Sequence, residues 1–181
     1  LFTKKRTISI TTLKKMEREL IELDLPNELT IVYKSLKKIH VNSPEHFQYS
    51  QLYNRHVAFM LAVDKAEDLM ADYVKKYGYY YLSGGEIEKL GLNLLAKEMQ
   101  NVARLYDSHR LYVYQSCMII FHRLFVEKED NVQQEGETIE DIFDHVQKIF
   151  NTYTIDPLYY HINLVFEFLK LEYYNHYKVY R

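Results

Sequence analysis

Apolar residues in this chain recur at three- and four-residue intervals almost from end to end, the period of a helix with one buried face. A first helix is predicted from about Thr12 to Leu23, with Leu13, Met16, Leu20 and Leu23 on one stripe. Pro26 opens a second, burying Leu29, Val32, Leu36 and Ile39 and turning Lys34, Lys37 and Lys38 outward. A long third helix starts at Ser43-Pro44 and runs to Tyr77, closed by Gly78; the capping-box spacing of Asp64 and Glu67 makes a break near Val63 the alternative. Ser83 and Glu86 repeat that spacing and predict a helix to about Tyr106, after which Asp107 and Ser108 offer a restart. Leu111 to Val126 is apolar on most faces and reads as a buried helix.

Residues 127 to 137, EKEDNVQQEGE, carry no apolar period and read as an exposed acidic loop. Thr138 and Asp141 then form a start signature, with Ile139, Ile142, Phe143, Val146, Ile149, Phe150 and Tyr153 at the helix period. The last helix begins at Asp156-Pro157 and runs to about Lys178 through Leu158, Ile162, Leu164, Val165, Phe168, Leu169 and Tyr173. It has few polar residues around its circumference, so it must lie centrally or face a partner. No segment alternates like a strand. The expected class is all-α: a single domain spanning residues 1 to 181, of six to eight helices packed as an antiparallel bundle or a short solenoid of helical hairpins.

Composition narrows the setting. The one cysteine, Cys117, cannot form an internal disulfide, which favours a reducing, intracellular compartment, cytoplasmic or nuclear. The most apolar stretch, Leu111 to Val126, is interrupted by Gln115, Ser116, His122 and Arg123, so no membrane span is expected. The chain opens on Leu1 rather than Met, compatible with a fragment of a longer chain. Tyrosine is abundant, 18 residues against no tryptophan, and a ring with a polar tip suits both crowded seams and partner surfaces.

Chemical motifs are few. Leu82-Ser83-Gly84-Gly85-Glu86 resembles the signature motif of ABC-type and SMC-type ATPases, which implies a grip on the γ-phosphate of ATP held by a second subunit. No G-x-x-x-x-G-K-[ST] loop and no apolar strand ending in Asp-Glu accompanies it, and the ATPase reading is excluded. Arg104 and His109 fit the R-x4-H pattern and so resemble HEPN-type ribonucleases, which are small helical bundles. That resemblance implies that Arg104 and His109 bind the scissile phosphate and assist attack by the RNA 2′-hydroxyl without a metal. Leu105 stands where that family often has a polar residue. Leu158 to Tyr177 loosely resembles a helix of a tetratricopeptide-type repeat, and Tyr53 to Tyr73 does so less well, but that family's landmarks do not recur at a 34-residue period.

No metal and no cofactor are expected. The Glu-x-x-His pair of di-iron bundles is absent, and the i, i+4 pairs Asp141/His145 and Glu172/His176 have no third ligand at spacing. Cys117 sits among apolar neighbours as a small hydrophobe. Charge is polarised: residues 1 to 40 hold nine basic and five acidic side chains, residues 127 to 144 one basic and eight acidic. Lys4-Lys5-Arg6 with the lysines of the second helix could therefore touch phosphate, and a helical RNA-binding module is one alternative function. A metal-independent ribonuclease using Arg104 and His109 is the other. The leading expectation is a non-catalytic scaffold or adaptor module that binds another protein through an aromatic-rich surface, with Tyr173, Tyr174, Tyr177 and Tyr180 as anchors.

Overall fold

A computed structural model of the chain describes residues 2–127, 137–154 and 157–177, and every regular element among them is helical. The helices are α1 (Phe2–Glu22), α2 (Pro26–Ile39), α3 (Glu45–Ser83), α4 (Glu86–Ala103), α5 (His109–His122), α6 (Ile139–Thr152) and α7 (Pro157–Tyr177). A π-helical turn, Arg123–Glu127, follows α5. The protein is all-α, as the apolar period requires. Apart from Glu127 and Glu137, the acidic loop expected at residues 127 to 137 lies outside the described residues. Two compact units divide the chain, Leu1–Asp64 and Lys65–Arg181, and α3 contributes residues to both.

In the first unit α1 packs on α2. Leu23, Asp24 and Leu25 connect them, and Asp24 takes the left-handed conformation (φ 51°) that reverses the chain. Leu29, Val32, Tyr33 and Leu36 of α2 and Tyr49 of α3 are buried together, with Leu13, Leu20, Leu52 and Tyr53 against them. Two expectations need correction. Helix α1 starts ten residues before Thr12: Ser9, Thr11 and Thr12 donate their hydroxyls to carbonyls four residues back, at 3.0 Å each, and so sit within a helix instead of capping one. Its inward stripe is Leu13, Glu17 and Leu20, whereas Met16 and Leu23 are exposed. Glu17 belongs on that side because its carboxylate accepts the phenol proton of buried Tyr33, whose ionisation burial and Glu17 together push well above the ordinary range.

The second unit is built around α5, which packs against α4, α6 and α7. Leu111, Val113, Cys117, Met118 and Ile120 of α5 are buried, and Ser108 caps its start by accepting Leu111 N–H at 3.4 Å. The start of α6 is the expected capping box: Asp141 N–H donates to Thr138 Oγ1 at 3.1 Å, and Thr138 N–H to Asp141 Oδ2 at 3.2 Å. The Thr138 hydroxyl also donates to Asp141 Oδ2, at 2.6 Å, and that bond first, with the Thr138 N–H second, holds the Asp141 carboxyl below its usual range. Phe143 and Phe166 lie fully buried at 5.5 Å and 78°, an edge-on pair joining α6 to α7. Burying each such ring contributes ~1.5–3 kcal/mol.

Helix α3 neither breaks near Val63 nor stops at Gly78. Glu67, which with Asp64 marked the alternative restart, accepts the Tyr114 hydroxyl at 3.0 Å. Past Gly78 the helix is held by rings: Tyr77 packs edge-on against Phe121 at 4.8 Å and faces Tyr81 one turn on at 6.2 Å. The stop is Gly84, in the left-handed conformation (φ 64°), whose N–H donates to the Tyr80 carbonyl at 2.7 Å. The capping box expected at Ser83 and Glu86 does not form. Gly85 is the N-cap of α4, and Ser83 Oγ accepts the Gly85 N–H at 3.2 Å instead. The same spacing serves a tight turn here because the preceding helix runs right up to it.

Candidate interaction surface

The four tyrosines expected to anchor a partner do not share one environment. Tyr173 is only 8% exposed, packs edge-on against Phe143 at 5.4 Å and donates its hydroxyl to Glu140. Tyr174 is half-buried against the same core, Tyr177 is 37% exposed and leans on Tyr173 at 4.8 Å, and Tyr180 lies outside the described residues. An exposed tyrosine patch is thus corrected at Tyr173, a core residue whose phenol burial and Glu140 keep protonated far above the ordinary range.

The exposed apolar surface of α7 lies on its other side. Tyr159, Phe166, Leu169 and Tyr173 face inward, fully or nearly buried, with Ile162 packed against them. Tyr160 (78% exposed), Leu164 (68%), Phe168 (50%) and Leu171 (58%) occur at i, i+4, i+8 and i+11, a second stripe pointing away from the first. A helix that lies on a surface normally carries polar residues there. Helix α7 is apolar on both sides, and its outer side has no covering among the described residues. The signal was legible in the sequence as two helical stripes half a turn apart, but nothing in it says which one meets α6.

A smaller outer stripe marks α4, where Ile87, Leu90 and Leu94 are exposed opposite buried Leu92, Ala96 and Met99. Near its end stands exposed Arg104, the C-cap residue of α4. His109 begins α5, half-buried; its ring stacks on Tyr153 at 3.7 Å and 12°, and its Nδ1 is hydrogen-bonded to the Tyr159 hydroxyl. Two aromatic partners from the α6–α7 region thus fix the imidazole that a ribonuclease would need to move protons.

Arg6 and the lysines that end α2 have a structural use. Arg6 donates from Nη2 to the Ile39 carbonyl at 2.9 Å, at the C-terminal end of α2, where Lys37 and Lys38 occupy the last turn. Cations there satisfy and oppose the negative end of the helix. Lys37 also lies over the Tyr53 ring at 5.5 Å. Neither carboxylate-histidine pair forms a ligand set. Asp141 is engaged by Thr138, and His145 Nδ1 approaches Glu137 instead, at 3.3 Å. Among the described residues no three His, Cys, Asp or Glu side chains gather, and no helix is long and apolar enough to cross a membrane.

One polar chain enters the second core unannounced by any motif. Tyr73 and His122 are both buried, with the phenol oxygen 2.7 Å from Nδ1, and Glu127 Oε1 lies 3.6 Å from His122 Nε2. The negative charge of Glu127 beside Nε2 favours the tautomer that carries its ring proton there, which leaves Nδ1 to accept the Tyr73 hydroxyl. Desolvation lowers the basicity of His122, with Lys89 adding to the effect and Glu127 opposing it. Cys117 is equally buried, its thiol pushed up to about 12 by desolvation, far from a nucleophilic thiolate. No protein-family model, curated protein or solved structure matches the chain.

Proposed function

We propose that this chain is a non-catalytic helical module that binds another protein through the outer face of α7. The observation that carries the reading is the exposed stripe of Tyr160, Leu164, Phe168 and Leu171, opposite the face that packs on α5 and α6. Such a stripe is the form in which one helix seats against another, read as i, i+4 and i+7/8 anchors. Its two aromatic members supply the large, semi-rigid rings that dominate interface energies. The tyrosines near the C-terminal end contribute through packing: Tyr173 holds α7 against α6, and the partner meets the opposite side.

The test is affinity capture from the native source, with wild type compared to the double variant Leu164→Glu, Phe168→Glu and to Leu90→Glu on α4. The α7 variant should weaken capture by ~1–3 kcal/mol, the scale of interface anchors. Its helical circular dichroism should match wild type, since both positions face solvent. Capture that is unchanged by the α7 variant, or lost only in Leu90→Glu, would sink the proposal.

A further inference from the structure

The outer stripe of α7 has a pattern that suits itself. We infer that its occupant is a second copy of this chain, paired antiparallel through α7 about a two-fold axis level with the peptide between Phe166 and Glu167. The inference rests on the reading of α7 as a binding face and names its partner.

Three observations lead to it. First, the stripe interleaves under that operation: along the joint, Tyr160 is followed by Leu171 of the second copy, then Leu164, then Phe168 of the second copy, and the order repeats in reverse beyond the axis. No member of the stripe meets its own counterpart, so each can seat between residues of the facing helix as a knob in a hole. The seam covers about 20 Å of helix at 1.5 Å per residue.

Second, the polar border is arranged for a two-fold. Residues 161 and 172 lie on the same edge of the stripe, nearly one above the other around the helix, and at equal distances from the axis. An antiparallel partner therefore sets His161 of each copy beside Glu172 of the other, an imidazole donor against a carboxylate, twice over. His161 is exposed and Glu172 half-exposed, so both are accessible. On the opposite edge Glu167, also exposed, falls at the axis and meets its own copy, a repulsion that limits affinity.

Third, the area suffices. Tyr160, Leu164, Phe168 and Leu171 together expose on the order of 500 Å² per copy, so their complete burial in the pair removes roughly 1,000 Å² from water, the lower bound of a specific interface. The outer stripe of α4 has three aliphatic members and no ring, and falls short of that bound.

Sedimentation equilibrium of the 21.9 kDa chain at about 1–200 μM, the range proper to an interface of this size, tests the inference. The expected result is a reversible monomer–dimer equilibrium, abolished by Leu164→Glu or Phe168→Glu with helical content intact, and unaffected by Leu90→Glu. Glu167→Gln should tighten the dimer several-fold. His161→Glu should weaken it at least tenfold, and adding Glu172→Lys to that variant should restore it, which a merely structural role for either residue cannot produce. A wild type that stays monomeric throughout, or a dimer indifferent to the α7 variants or lacking the charge-swap rescue, overturns the pairing. A monomeric wild type whose capture of other proteins still depends on Leu164 and Phe168 overturns self-pairing alone; a monomer whose capture ignores them removes the binding reading as well.

Discussion

Replacing Tyr73 by phenylalanine removes one oxygen from a buried polar contact in the second unit. The ring stays, and with it the edge-on contact to Phe121 at 5.8 Å and 87°. What disappears is the proton donated to His122 Nδ1 at 2.7 Å, in surroundings where His122 is only 7% exposed and Tyr73 not at all. Water cannot replace that donor without opening the core, so the acceptor is left unpaired at a cost of ~1–3 kcal/mol. For a chain of this length, each kcal/mol lowers the melting temperature by about 2–4 °C, so a fall of roughly 2–12 °C is expected. His122→Leu should cost a comparable amount by orphaning the phenol instead. The double variant removes both polar partners and should be less destabilised than the two singles added together, by ~1 kcal/mol or more. Urea denaturation followed by far-UV circular dichroism measures all four proteins. A Tyr73→Phe protein within about 0.3 kcal/mol of wild type, or strictly additive singles, would refute the claim that this bond is sealed from water.

The same histidine sets a pH dependence. Its folded-state pKa lies below the ordinary 6.5, so the unfolded chain binds the proton first, and stability is full above about 6.5 and lost as pH falls through the folded value. The urea midpoint should drop between about pH 7.5 and 5.5, and drop less in His122→Leu; a midpoint that rises on acidification contradicts this sign. Cys117, 2% exposed with its thiol pushed up to about 12, should resist thiol reagents in the native protein and label fully in denaturant, as a mass shift reports. Two glycines should respond with opposite signs to alanine. Gly84→Ala forces a side chain into a left-handed conformation and should destabilise by ~1 kcal/mol or more, whereas Gly78→Ala, mid-helix with nothing within 4 Å of a new Cβ, should stabilise by ~0.5–1 kcal/mol; matching thermal shifts would refute the assignment of Gly84 as the stop.

Much of the helical layout was legible because it is local. The start of α6 was readable from Thr138 and Asp141, since a capping box is a contact between residues three apart, and Pro26 marked the start of α2 for the same reason. Local signals failed where two readings were equally local. Thr12 fits a cap as well as a helix interior, and only the helix already running through residues 2 to 11 decided between them. Ser83 fits the N-cap of α4 as well as the turn it occupies, and Gly78 fits a stop that rings from α5 and the following turn override.

For the candidate surface, the chain by itself determined that its last helix is apolar on two sides, because that follows from residue type and the 3.6-residue period alone. Which side would be buried was decided only in three dimensions. Phe143, Phe150 and Phe166 pack ring to ring with Tyr159 and Tyr173, and that fit drew the Tyr159, Phe166, Leu169 and Tyr173 side inward, leaving Tyr160, Leu164, Phe168 and Leu171 facing solvent. The buried Tyr73–His122 contact, 49 positions apart in the chain, was likewise beyond any local pattern. Hydrophobicity acts residue by residue and can be read from a string. Shape complementarity exists only between surfaces, and the string does not contain the surface that each helix meets.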